Sequence, residues 1–273
     1  MSSTISASIA KLTQLRVLKI NNNFFSGSIP TNVTELLHLQ VLQIQNNLFS
    51  GRIPSVLSST LKSFTISSNA FTGNLWTMLS QWPEIQIFDI SNTRSFGTIP
   101  TEIGRATNLK VIEFFFTGVT GSIPSEIGYL TDLQSFVATK AHLTGTIPSE
   151  LAHCTELMSL GLSQSALDST TIPTFVGNLV KLEFLSLTEL KLMGTIPTEI
   201  GSLLHLTYLE LFENLLTGTI PTELATLDPS ILLSAYFQRN PYLSGNLPSS
   251  FCALNLVVDC NLGCNECESC FCV

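Results

Sequence analysis

Residues 143–151 read LTGTIPSEL, and residues 216–224 read LTGTIPTEL, almost the same phrase 73 positions later. Anchored on the apolar-proline step, copies begin at Ile29, Ile53, Ile99, Ile123, Ile147, Ile172, Ile196, Ile220 and Leu247, with a degenerate copy at Leu75 and Trp76. The interval is mostly 24 residues. The stretch LDSTTIP in the seventh copy carries one residue more and puts Ser169 where its neighbours have glycine. Self-similarity at a period of this size marks a stacked-repeat architecture, because one unit cannot bury its apolar face alone.

Upstream of each proline lies a second pattern, LxxLxLxx(N)xL: Leu15, Leu18, Ile20, Asn23 and Phe25 in the first copy, Leu206, Leu209, Leu211, Asn214 and Leu216 in the ninth. Its LxL centre alternates apolar and polar residues, the period of a strand with one buried face. Downstream, IPTEIGSLLHL spaces Ile200, Leu203 and Leu206 three apart, which suits one turn of helical or 3-10 structure. Each repeat is therefore expected to be a strand, a turn and a short helical return.

These phrases resemble the leucine-rich repeat family, in the plant-type extracellular form LxxLxxLxLxxNxLTGxIPxxLGxL, from about residue 5 to residue 248. The resemblance implies an α/β repeat fold. It would be a right-handed solenoid of about ten repeats with a concave parallel β-sheet, short helical or 3-10 returns on the convex side, and a second short strand at LTGxIP. Residues 1–248 are expected to form the solenoid and residues 249–273 a cysteine-rich C-terminal cap. Thr93, Thr117, Ala141, Ser165 and Leu190 replace the usual asparagine in five consecutive middle repeats. If the asparagines bond neighbouring backbone as in the family, that ladder is interrupted there.

The chain has 273 residues, 44% hydrophobic and only 12% charged, enough apolar material for one elongated core. No apolar run reaches the ~18 residues of a membrane span. The opening MSSTISASIAKLTQL lacks the apolar centre of a secretory leader, and TISASIAKLTQL aligns with TIPTEIGSLLHL, so the first methionine falls inside a repeat. An N-terminal cap is therefore expected to be missing from the given sequence. The net charge of −8 is uneven: residues 1–110 hold 8 basic and 4 acidic side chains, residues 111–273 hold 4 basic and 16 acidic. The acidic half disfavours nucleic acid and suits a cationic or sugar-like partner.

Six of the seven cysteines lie in the final stretch: Cys252, Cys260, Cys264, Cys267, Cys270 and Cys272. Cysteine at this density belongs to oxidising compartments and reads as a disulfide cap, with fifteen conceivable pairings. The rival is a metal site, since Cys264-x2-Cys267-x2-Cys270 resembles part of an iron–sulfur or zinc spacing. The next interval is wrong for the former, and the latter requires two separated pairs. Cys154 sits at a leucine position and reads as a small buried hydrophobe, with His153 an exposed spacer. Four scattered histidines without a paired acid or nucleophile form no catalytic constellation. The chain reads as a non-enzyme without cofactor. Asn32-Val33-Thr34 is a glycosylation sequon if the protein is secreted.

Two surfaces could carry function. On the concave sheet the outward positions are polar in the first repeats, then become Glu113, Phe115 and Phe116, later Phe184 and Glu189, then Tyr208, Glu210, Phe212 and Glu213, and finally Tyr236. Large aromatics beside carboxylates are surplus to a core already filled by leucines, and such residues are enriched at binding surfaces. Stacking between strands is the plainer explanation. The second surface is a row following the turn glycine: Thr98, Ser122, Thr146, Thr171, Thr195 and Thr219. Regular hydroxyl rows resemble ice-binding faces of other repeat proteins. A second hydroxyl row after the proline is expected merely to cap the helical turns, with glutamates at the positive end of the dipole. The expected function is an extracellular module, secreted or at the cell surface, that binds a protein, peptide or glycan through the concave face. Ice binding is the alternative.

Overall fold

A computed structural model of the chain describes residues 4–168, 171–228, 230–245, 256–258 and 271–272. One parallel sheet runs its length. It has twelve strands in sequence order, one per repeat from Val17–Lys19 to Ser234–Tyr236, followed by Leu256–Val258 and Phe271–Cys272. The register advances by the repeat length: Leu160 faces Leu185, and Leu185 faces Leu209. The last two strands continue the same sheet, with Tyr236 against Val257 and Val258 against Cys272. The segment expected as a separate cap thus contributes strands to the repeat sheet. Of the six tail cysteines, Cys252, Cys260, Cys264, Cys267 and Cys270 lie outside the described residues, and Cys272 is described only as strand backbone.

The helical returns among the described residues are 3-10 turns, such as Thr198–Ser202, rather than α-helices, and the return after Pro54 forms no helical turn. The sequence dictates this choice. Three residues per turn put Ile200, Leu203 and Leu206 on one line, and all three are buried. Glycine permits the tight stacking: a Cβ on Gly201 would lie 2.5 Å from the carbonyl oxygen of Glu223 in the next coil. The hydroxyl residues after the proline do not cap these turns as expected. Proline itself is the N-cap residue and no side-chain cap bond forms, because the Ser or Thr already lies inside the turn. Its hydroxyl instead donates to the following glutamate, as Thr198 does to Glu199 at 3.3 Å.

A second, lateral sheet forms at the LTGxIP segments. It holds six strands from Ser26–Gly27 to His142–Leu143, and a separate pair joins Thr217–Gly218 to Tyr242–Leu243. The break coincides with the seventh and eighth repeats, where the extra residue falls; Ser169 itself lies outside the described residues. There the eighth repeat needs two left-handed residues, Glu189 and Lys191, where the other repeats use one ahead of the ladder position.

The ladder explains the rest of the coil. Asn214 is buried; its Nδ2 donates to the carbonyls of Leu187 and Leu211, and its Oδ1 accepts from the amides of Leu190 and Leu192. Asn47, Asn69 and Asn240 likewise reach the preceding coil. Thr93 and Thr117 donate to the carbonyl three residues back, and Thr93 also bonds Ser95, all within their own coils. The interruption read from the sequence is present. Between coils, Phe25, Phe49 and Phe71 stack at 6.0 and 5.9 Å, and Trp76 of the degenerate copy is buried against Phe88 and Phe114, both at 5.1 Å.

Candidate functional site

The outward positions of the twelve-stranded sheet form the first candidate. Each strand leads to a residue of positive φ: Asn22, Asn46, Ser68 and Asn92 in the first four repeats, then Phe116, Lys140, Gln164, Glu189, Glu213 and Arg239. Asparagine tolerates the left-handed region, whereas bulky side chains occupy it at a cost. The second half of the sheet therefore pays conformational energy to place large side chains along this edge.

The predicted concave residues fall into three groups. In the first, Phe115 and Phe116 meet edge to face at 6.1 Å, and the ammonium of Lys140 sits 4.6 Å from the centre of the Phe116 ring. Glu113 lies in register with Asp89 on the neighbouring strand and accepts from Ser135 Oγ at 3.0 Å. Burial raises the Glu113 pKa; the Ser135 bond opposes this, and the charge of Asp89 adds to it. Asp89 is held by Ser67 Oγ at 2.6 Å and by the amide of Ser91 at 3.0 Å.

Two strands of smaller outward residues follow: Ser135 and Val137, then Ser159 and Gly161. Beyond them lies the second group. Phe184 and Tyr208 are register neighbours, and Glu210 stands between Ser186 and Tyr236. Phe212 meets Tyr236 edge to face at 6.4 Å. A Cβ on Gly161 would lie 3.6 Å from Cε1 of Phe184, in ordinary contact with that ring. Glu213 is ion-paired with Arg239. Tyr208 is the most open of the set at 39% exposure, and Phe184, Glu210, Phe212 and Tyr236 are half-buried.

Glu189 stands apart from both groups. It accepts from Gln164 Nε2 and lines a groove of about 490 Å³ with His142, Asp168 and Lys191, at the break in the lateral sheet. The structure thus separates the ten predicted concave residues instead of gathering them into one patch. Sequence reasoning missed Ser163, Ser186 and Lys140. Ser186 was within reach, because the 24-residue offset from Glu210 places it directly alongside.

The hydroxyl row is the second candidate. Thr98, Ser122, Thr146, Thr171, Thr195 and Thr219 are all exposed. All but Thr146 lie against the glycine of the following coil: a Cβ on Gly121 would meet Thr98 Cγ2 at 3.0 Å, and one on Gly218 would meet Thr195 Cγ2 at 3.1 Å. Those glycines have positive φ, Gly121 at 80° and Gly218 at 76°. The methyls of Thr98, Thr171, Thr195 and Thr219 thus face glycine, while the row's hydroxyls make no bond among the described residues.

The remaining predicted positions are simpler. Cys154 is fully buried, donates to the carbonyl of Ile127 at 3.4 Å, and has its thiol pKa pushed up to about 11 by burial. His153, His38 and His205 are exposed. Asn32 is exposed on the turn Thr31–Glu35. Among the described residues no helix is long and apolar enough to cross a membrane.

The leucine rich repeat family model matches residues 14–36, 38–59 and 205–227. No curated protein matches the chain. Among solved structures, a TDR receptor superposes with a TM-score of 0.85 at 31% identity, over 95% of this chain and 45% of that one. The ectodomain of the Arabidopsis receptor kinase HAESA, in complex with an N-terminally extended IDA peptide hormone, gives 0.80 at 31% identity over 89% and 40%. A plant ice-binding protein gives 0.73 at 22% identity over 89% and 78%, a likeness of fold. This chain spans less than half the length of the two receptors. It carries leucine-rich repeats and folds as a leucine-rich-repeat solenoid.

Proposed function

We propose that the protein is an extracellular recognition module that holds a peptide or protein segment, or a glycan, on the concave sheet of its C-terminal half. The observation that carries this reading is the aromatic and acidic patch of Phe184, Tyr208, Glu210, Phe212 and Tyr236. These side chains share one sheet face that the core does not use, since Leu185, Leu209, Leu211 and Phe237 fill the interior beneath them. Rigid rings cost little ordering entropy when they contact a ligand, and a pre-built sheet adds none. Likeness to receptors that include one in complex with a peptide hormone supports the reading. On this reading the solenoid presents a rigid surface, and the mechanism is capture without catalysis.

The test is capture from an extracellular extract by the immobilised protein and by a Tyr208→Ala/Phe212→Ala variant of unchanged circular dichroism. A partner held by the former and lost by the latter is expected; equal retention by both contradicts the reading.

The hydroxyl row favours a second reading, ice binding. Six exposed hydroxyl residues lie on six consecutive coils, four of them with methyls against glycine, and their hydroxyls make no bond among the described residues; stacked coils would space such a row at roughly the ~4.8 Å strand spacing. Thermal hysteresis that disappears in a Thr146→Lys/Thr195→Lys variant would establish it. A protein that shows no hysteresis is no ice binder.

A further inference from the structure

The concave-face reading leaves the chemistry of the ligand open, and resting on that reading we propose that Glu210 and its ring of aromatics form a receptor for one arginine guanidinium of a polypeptide ligand.

The argument begins beneath the surface. Ser186 Oγ donates to Glu210 Oε2 at 2.7 Å, so its single proton is committed. The Ser163 and Ser186 hydroxyls lie 2.7 Å apart, and Ser163 must therefore be the donor of that pair. Ser163 Oγ in turn accepts from the amide of Thr188 at 2.9 Å. The result is a one-way chain, from the Thr188 amide through two hydroxyls to a carboxylate. Ser163 and Ser186 are only 2% and 3% exposed. Every donor in the chain points toward Glu210, which fixes the position of the carboxylate.

That carboxylate has no ion-pair partner among the described residues. Glu210 Oε1 has no bonding partner among the described residues. The three ion pairs described, Lys62–Glu84, Lys181–Glu156 and Arg239–Glu213, leave Glu210 out. Its surroundings are aromatic instead. Tyr208 and Phe212 flank it along the strand by alternation, Tyr236 lies across on the next strand, and Phe184 is alongside Tyr208. Phe212 and Tyr236 meet edge to face, at 75° between their planes, on the same sheet face as the carboxylate.

A fixed carboxylate among aromatic side chains suits a cation, because a ring face carries negative quadrupole density. It selects guanidinium over ammonium for two reasons. Guanidinium is planar and weakly hydrated, so it stacks on a ring while donating to a carboxylate; ammonium is compact and gives up its water reluctantly. The excess of 16 acidic over 4 basic side chains in residues 111–273 draws such a ligand toward this half.

The probe is the peptide acetyl-Gly-Ser-Arg-Ser-Gly-amide, with citrulline and lysine counterparts, titrated into the whole protein while the ring signals of Tyr208 and Tyr236 are followed by NMR. The arginine peptide is expected to bind at least about tenfold more tightly than the neutral citrulline isostere, and Glu210→Gln should bring the two within about twofold of each other. Ser186→Ala, which removes only the positioning bond, should weaken the arginine peptide about two- to fivefold and leave citrulline unchanged. Equal binding of the arginine and citrulline peptides, absence of any shift, indifference to Glu210→Gln, or a preference for lysine would each overturn the proposal. The two readings fail separately. A captured partner that is lost by Tyr208→Ala/Phe212→Ala but unaffected by Glu210→Gln leaves the concave surface standing without its guanidinium subsite.

Discussion

Asn214 shows what one side chain does in a stacked coil. Its amide bonds the carbonyls of Leu187 and Leu211, the latter shared with Asn240, and the amides of Leu190 and Leu192, in a position 3% exposed. Removing a partner from buried polar groups costs about 1–3 kcal/mol for each group left unsatisfied. Asn214→Ala is expected to lower stability by about 3 kcal/mol or more in urea unfolding, whereas Thr117→Val, which loses one bond within its own repeat, should cost ~1 kcal/mol. Glu113 illustrates the opposite case. Burial holds its pKa above the ordinary carboxylate value of 4.5, so the folded protein binds that proton more tightly than the unfolded chain. Ionisation at neutral pH therefore costs stability, and the cost fades as pH falls through the raised pKa toward 4.5. Glu113→Gln should be slightly more stable than the unmodified protein at pH 7, by ~0.5 kcal/mol or less, with the difference gone by pH 4. An unchanged difference across that range would place the effect elsewhere.

At the scale of the element, the 3-10 turns stack because glycine faces backbone. Gly177 and Gly201 would each push a Cβ to within 2.6 Å of the next coil's carbonyl oxygen. Gly201→Ala is expected to cost about 1–3 kcal/mol by spreading two coils, even though alanine is ordinarily the better helix former. A neutral or stabilising effect in thermal unfolding would show that the coils can slide apart freely. Most of this level was legible in the sequence. Leucine spacing gave strands and returns, and the missing asparagines at Thr93 and Thr117 gave the gap in the ladder. The role of the hydroxyls after proline was not legible, because a Ser or Thr before a glutamate looks the same whether it sits at the cap or one residue inside the turn. Nor was the donor chain through Ser163 and Ser186. Its direction depends on which hydroxyl has already spent its proton, and only atomic distances reveal that.

The whole molecule is a sheet with two usable faces. Repetition places the same position of every coil in one row, so a single favourable residue becomes a ladder on the concave face and a hydroxyl array on the flank. The sequence marked both rows but not their internal divisions. Phe116 and Lys140 pair with each other, Glu189 turns toward the break in the lateral sheet, and only the set around Glu210 remains as a framed surface. A break at the seventh and eighth repeats also divides the lateral sheet, leaving the concave sheet as the continuous one. That continuity makes the concave side the better platform for a ligand spanning several coils.

Hydroxyl-radical footprinting of the protein alone and with its captured partner tests this account most directly. Tyr208, Phe212 and Tyr236 should lose most of their oxidation in the complex, while Tyr129 and Tyr242, which are exposed and lie away from the concave surface, should be oxidised as before. Protection of Tyr129 or Tyr242 with Tyr208, Phe212 and Tyr236 unchanged would contradict it.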